Sequence, residues 1–355
     1  MARTKKDFRK ILLVLGGGGL RGLSHIGVLK ALSEADLMPD EYAGTSVGSL
    51  IAALAASGMP VEDIERFGRA VTKDDVLSFN FPGLLKRGAK VGHLQSPDAL
   101  SNLITTHLKT ERFADLKHPL FINTVNINSG GEVIWGLPSL DLAPISLCVL
   151  ASCSIPGVYP PVKIGSQWYV DGAVVNNLLL NLAKARKADL VVAVFLKNLG
   201  TFANMPRVEQ SSFMTIINRG DDITSQMVFN AQLARSHELP LVMVRPDVTS
   251  MATFDFVDPG RVIDEGYASA RKVLASHPLI QGVRAVNPIK PLYHLDTEAC
   301  KGCGLCEVNC SEGLWTLVKG KAQYHERLRK RCGGTMTCLR NCPYNAITLK
   351  EESPA

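Results

Sequence analysis

Over its first 299 residues this 355-residue chain contains only two cysteines, Cys148 and Cys153. That scarcity excludes a disulfide framework, which would spread cysteines through a small secreted domain. No apolar run approaches the roughly 20 residues of a membrane-spanning helix. A basic start, MARTKKDFRK, precedes ILLVL, but that run falls short of the roughly 7–15 apolar residues of a signal peptide and four glycines end it. Strong charge is missing too: a net +6 permits contact with anionic head groups and does not argue for nucleic acid. Apart from a repeated cysteine spacing near the end, there is no internal repeat and no low-complexity tract. The expectation is a cytoplasmic protein, at most peripheral at the inner face of a membrane, with no nucleic-acid partner.

What is present is an ordinary globular balance, 46% apolar and 20% charged. ILLVL at 11–15 is a continuous apolar run closed by glycine, the pattern of a strand covered on both faces. LFINTV, DLVVAVFL and LPLVMVRP repeat it further on. Between them lie amphipathic stretches, the first marked by Leu23, Ile26, Leu29 and Leu32 at helical spacing. This alternation predicts an α/β fold of three layers, with a mostly parallel sheet between helices, over residues 11–278. Residues 279–294 carry prolines without a clear period and read as a linker. A cysteine-rich segment, 295–350, follows. Cys148 and Cys153, within LCVLASCSIPG, read as small buried thiols.

Three short motifs carry chemistry. Gly44-Thr45-Ser46-Val47-Gly48 fits the G-x-S-x-G elbow, where small neighbours allow a sharp strand-to-helix turn and expose the hydroxyl. The same five residues fit a serine that caps the helix read from SLIAALAASG, and the pattern leaves both readings open. GGGGLRG at 16–22 follows the first strand and opens the first helix, so its backbone amides can converge on an anion or a developing oxyanion. Gly17, Gly19 and Gly22 also satisfy G-x-G-x-x-G. A dinucleotide site would need an acid closing the second strand, and here that strand runs into the serine elbow. In YVDGAVVNN, Asp171 precedes Gly172, a turn residue by default and a candidate base beside a serine elbow.

In this order, GGGLRG, GTSVG and DGA, the chain resembles the patatin-like phospholipases, and ASCSIPGVYPPV ahead of the acid adds to the likeness. The resemblance covers roughly residues 11–278 and implies a lipid or acyl-ester substrate. It also implies a Ser46–Asp171 dyad without histidine, in which Asp171 takes the proton of Ser46 and the amides of Gly17, Gly18 and Gly19 hold the oxyanion. Asp171 should be partly desolvated to act as a base. Arg21 would brace the loop, Gly22, Gly44, Gly48 and Gly172 would support the turns, and His25 would be structural. Leu178 stands where many relatives have proline. An acyltransferase or thioesterase on the same dyad, and a redox-responsive binding protein with a vestigial serine site, are the rival readings.

The tail reads Cys300-x2-Cys303-x2-Cys306-x3-Cys310, then Cys332, Cys338-x3-Cys342-Pro343, and resembles a two-cluster bacterial ferredoxin. A zinc site needs four ligands, not this ladder of seven. In the ferredoxin arrangement the first three cysteines of one set join the fourth of the other. The resemblance thus implies one [4Fe–4S] centre on Cys300, Cys303, Cys306 and Cys342. Cys310, Cys332 and Cys338 remain for a second, with Thr335 at the missing corner; that site is expected to hold [3Fe–4S] or a labile [4Fe–4S] cluster, or to stay empty. Ser311 replaces the usual proline. A regulatory or electron-transfer role, with a redox partner, is implied. For membrane contact the candidate is residues 76–90, with Phe79, Phe81, Leu84 and Leu85 beside Lys86, Arg87 and Lys90; a lid or core loop is the competing reading.

Overall fold

The computed structural model describes residues 3–76, 95–196, 213–236, 238–248, 258–281, 292–310, 312–332 and 337–350. Of the stretch 76–90, only Val76 lies among these; Phe79 to Lys90, like Ser311 and Thr335, lie outside them. Two compact units divide the chain: Met1–Phe229 with Leu239–Gly282, and Asn230–Glu238 with Val283–Ala355.

In the first unit, ILLVL forms β1 (Ile11–Leu15) with every residue buried. It lies between β2 (Glu41–Thr45) and β7 (Leu190–Val194), and both pairings are parallel. Parallel pairing continues outward from β2 to β3 (Leu120–Asn126) and from β7 to β8 (Leu241–Val244). Three further strands, β4 (Glu132–Trp135), β5 (Val162–Ile164) and β6 (Gln167–Asp171), add antiparallel pairs at the β3 side. The eight-stranded sheet is therefore parallel at its centre and mixed at one flank.

Helices connect the parallel strands: α1 (Ser24–Glu34), α2 (Val47–Ala56), α3 (Val61–Ala70), α4 (Lys73–Val76), α5 (Asp98–His107), α6 (Ile145–Ser152), α7 (Leu180–Arg186), α8 (Phe213–Arg235) and α9 (Pro259–Ser276). Ile26, Leu29 and Leu32 of α1 are fully buried, as their spacing predicts. α2 is buried on nearly every side, from Gly48 to Ala56. Among the described residues, no helix is long and apolar enough to cross a membrane.

Within β2 the burial includes a charge. Glu41 accepts a bidentate pair from Arg186, at 2.8 and 2.6 Å, and Lys10 stands 3.3 Å away. Burial alone raises the pKa of this carboxyl, but the Arg186 hydrogen bonds and charge, helped by Lys10, hold it below the usual range. Stability from this pair is therefore present above the unfolded carboxyl pKa, about 4.3, and is lost as pH falls through the lower folded value. Arg186→Met should cost about 3 kcal/mol at pH 7, the low end for uncovering a buried charge because Lys10 remains. The penalty should shrink at pH 4, where the unpaired Glu41 can be protonated. Urea unfolding at the two pH values checks this; an equal penalty at both would contradict it.

In the second unit, β9 (Tyr293–Leu295) pairs antiparallel with β12 (Ile347–Leu349), and β10 (Trp315–Val318) forms a hairpin with β11 (Lys321–Tyr324). Two one-turn helices, α10 (Leu305–Val308) and α11 (Thr337–Arg340), complete it. The core is small, and Cys300, Cys332 and Cys338 belong to it alongside Tyr293, Trp315 and Ile347.

Candidate active site

The register of β3 brings two distant motifs together. Its Ile122 and Asn123 pair with β2 through Gly44 and Thr45, and its Thr124 and Val125 pair with β6 through Asp171 and Val170. β4 pairs with all four of these positions, so it occupies the opposite edge. β2 and β6 must then lie end to end along one edge of β3, with their C-terminal ends facing each other. Ser46 follows Thr45, which is opposite Asn123, and Asp171 is opposite the next residue, Thr124. The elbow serine and the aspartate thus meet because two strands of opposite direction stop at adjacent positions of a third.

Ser46 has φ 56° and ψ −134° and is 5% exposed. A non-glycine residue there carries about 1–3 kcal/mol of strain, which the surroundings must over-determine. Its side chain makes no capping hydrogen bond to α2, which removes the cap reading left open above. The turn is closed instead by Ser49, whose N–H and Oγ donate to Ser46 O at 2.8 and 2.6 Å. Glycine is required around it: a Cβ on Gly44 would lie 2.4 Å from Gly48 O, and one on Gly48 2.4 Å from Leu15 O. Asp171 is 3% exposed, and its Oδ1 accepts the N–H of Ala173 at 2.8 Å. Asp171 therefore keeps its turn role while lying opposite the position of β3 next to the one that pairs with Thr45.

The glycine loop faces Ser46 and the turn that follows Asp171. A Cβ on Gly17 would stand 3.0 Å from the Cβ of Ser46 and 3.5 Å from that of Ala173. Gly16 N–H is taken by Val194 O at 3.0 Å. The loop is braced from behind: Arg21 Nε donates to Gly18 O at 3.2 Å and Asn177 Nδ2 to Gly17 O at 3.3 Å. His25 Nε2–H donates to Gly16 O at 2.8 Å. Burial pushes the His25 pKa down to about 4 against the opposing Gly16 bond, so it stays neutral and keeps that hydrogen. It is a brace of the loop.

An apolar pocket opens beside Ser46, lined by Leu23, Leu50, Phe67, Val71, Leu103 and Tyr159. Cys153 also lines it; burial, then the nearby Asp171 charge, pushes its thiol well up, and it lies within hydrogen-bonding reach of Ser49 and Ser46. The sequence did not single out Asn123, Ser152 or Asn177. Their only signal was position, inside LFINTV, ASCSIPG and VVNN.

In the second unit a small cavity is lined by Cys300, Cys303, Cys306 and Cys342, with Gly302 and Gly304 between them. The N–H groups of Ala322 and Ala346 point at the sulfurs of Cys300 and Cys342, at 3.5 and 3.3 Å. Cys310 receives the Leu314 N–H at 3.2 Å, and Tyr293 Oη lies 3.8 Å from Cys332 Sγ. No two of the nine cysteines are joined in a disulfide. Among the described residues, no three His, Cys, Asp or Glu side chains are close enough to hold a single metal ion.

A parallel-centred α/β sheet with a serine elbow after β2 and an acid closing β6 defines the first unit. Residues 13–184 match the family described as patatin-like phospholipase, so the first unit carries a patatin-like phospholipase domain. An uncharacterized NTE family protein of Mycobacterium tuberculosis is 29% identical over 289 residues, covering 76% of this chain and 47% of its own length. The lysophospholipase nte1 of Aspergillus fumigatus is 26% identical over 291 residues, 75% of this chain and 18% of its own. The chain thus spans about half or less of these relatives. Among solved structures, VipD from Legionella pneumophila aligns over 76% of this chain and 67% of its own, with 15% identity and a TM-score of 0.44.

Proposed function

We propose that the first unit is a lipid acyl hydrolase of the phospholipase A or lysophospholipase kind, working through Ser46 and Asp171. The observation that carries this is the end-to-end meeting of β2 and β6, with an apolar pocket opening on the strained serine. Ser46 Oγ attacks the ester carbonyl while Asp171 accepts its proton, and the carbonyl oxygen becomes an oxyanion. The amides of the Gly17–Gly19 loop, which stands against Ser46, would hold the oxyanion, while the Ser46 amide is bonded to Ser152 Oγ. Collapse breaks the ester bond, and the alcohol leaves with the proton held on Asp171. Water then attacks the acyl-enzyme, again giving its proton to Asp171; the bond from Ser46 Oγ to the acyl carbon breaks, Asp171 returns the proton to Ser46 Oγ, and a fatty acid departs. Burial of an acyl chain in the pocket contributes about 0.8 kcal/mol per methylene. The fungal relative's name, lysophospholipase, supports this substrate class.

The test is a screen of phospholipids, lysophospholipids and acyl-CoA, with and without an alcohol acceptor. Free fatty acid as the main product supports hydrolysis. Acyl transfer to the acceptor would make the protein an acyltransferase, and no turnover of any ester would leave the vestigial-site reading standing.

A second reading concerns the cysteines, and it is favoured by the cavity that four of them line from positions 36 residues apart at Cys306 and Cys342. We infer an iron–sulfur centre there. The fit rests on three features: the all-thiol donor set, glycines at Gly302 and Gly304 that leave room, and backbone N–H groups aimed at sulfur. A core this small without disulfides also needs a staple. Such a cluster supplies one-electron chemistry; hydrolysis consumes no electrons, so its role here would be regulatory or in electron transfer to a redox partner. Cys310, Cys332 and Cys338 would hold a second, three-thiolate site. The proposed setting is the cytoplasm, with contact at a membrane surface.

A further inference from the structure

One hydroxyl joins the elbow to β3. Ser152, fully buried at the end of α6, accepts the N–H of Ser46 at 2.8 Å and donates to the carbonyl of Asn123 at 2.7 Å. Asn123 is the β3 residue opposite Thr45, and its neighbour Thr124 is opposite Asp171. The Asn123 side chain, also fully buried, turns the other way and donates from Nδ2 to Asn176 O at 2.6 Å, in the segment that follows Asp171. Gly172 lets that side chain pass: a Cβ there would lie 2.6 Å from Asn123 Cγ and Nδ2.

We propose that Ser152 and Asn123 form a positioning relay that holds the Ser46 backbone in its strained conformation and in register with the Asp171 segment. The relay rests on the dyad reading above. The physical need is specific. Ser46 sits where L-residues rarely stay, and only fixed partners keep it there. Its own N–H would otherwise be a buried, unpaired donor, as Asn123 O would be an unpaired acceptor. A serine is suited to the junction because its hydroxyl accepts and donates at once. Ser152 is thus a positioning residue: it reaches Ser46 through the backbone, and the bond it makes leaves Ser46 Oγ free to react.

The test uses the full chain with Ser152→Ala, Ser152→Thr and Ser152→Cys. It measures the second-order rate of fluorophosphonate labelling, kcat and KM on a p-nitrophenyl ester from pH 5 to 9, and thermal melting. Ser152→Ala should lower kcat and the labelling rate about 10- to 100-fold, the cost of a small misplacement of reacting groups. KM should hold, and because the relay is uncharged, the acid limb of the pH profile should not move. Ser152→Thr, which keeps the hydroxyl, should retain more activity than Ser152→Cys, and this order carries the test if the alanine variant does not fold. A lower melting temperature with the parent's labelling rate would mean that Ser152 only packs the core, and would overturn the relay. So would a cysteine variant faster than the threonine one. If the parent itself does not label, the dyad reading falls and takes the relay with it; if the parent labels and Ser152→Ala matches it, only the relay falls.

Discussion

Ser46→Ala and Asp171→Asn should each reduce ester hydrolysis by at least about 10⁴-fold, in line with removing members of a catalytic unit in serine hydrolases. Neither should unfold the protein. Ser46 makes no capping bond, so α2 loses nothing when the hydroxyl goes. Asp171 Oδ1 accepts the Ala173 N–H, and an asparagine carbonyl can do the same. The two residues act on one proton, and the double variant should therefore be little worse than either single. Near-normal turnover in Asp171→Asn would mean that another group takes the serine proton.

For the second unit the expected result is a loss of iron. Cys342 lies far from Cys300, Cys303 and Cys306 in sequence but lines the same cavity, so Cys342→Ser should abolish the whole first centre, about four irons per chain. A serine hydroxyl is a hard donor and a poor replacement for thiolate on iron. Anaerobically purified parent protein should carry about seven to eight irons and, on mild oxidation, show the EPR signal of a three-iron cluster. Thr335→Cys should remove that signal and fix the iron content at about eight. Unchanged iron in Cys342→Ser would show that the cavity is not the cluster site; unchanged iron and spectrum in Thr335→Cys would show that the cysteines are paired differently.

Much of this was legible from the sequence because the information is local. The run ILLVL, its glycines and the Leu23–Leu32 stripe specify a strand, a loop and a helix within about one βα unit, and β1 and α1 form there. GTSVG likewise contains its own turn. What spacing could not express is the meeting of β2 and β6 along β3. That depends on where two strands stop, some 125 residues apart, against a third with no motif of its own. Asn123 and Ser152 were invisible for the same reason: an asparagine in a strand and a serine at a helix end acquire meaning only from what lies across from them. His25 was readable as structural, but its partner, Gly16 O, was not. In the tail the cysteine spacing suggested a grouping; Cys300, Cys303, Cys306 and Cys342 line one cavity, and whether they share a cluster is for the iron analysis to decide.

The central claim is that Ser46 is a nucleophile activated by Asp171. Its most direct test is to treat the full chain with a fluorophosphonate and locate the adduct by intact mass and peptide mapping. The account predicts a single adduct on the peptide that carries Ser46, none in Ser46→Ala, and strongly slowed labelling in Asp171→Asn. An unmodified parent, an adduct on a different residue, or labelling of Asp171→Asn at the parent's rate would contradict it.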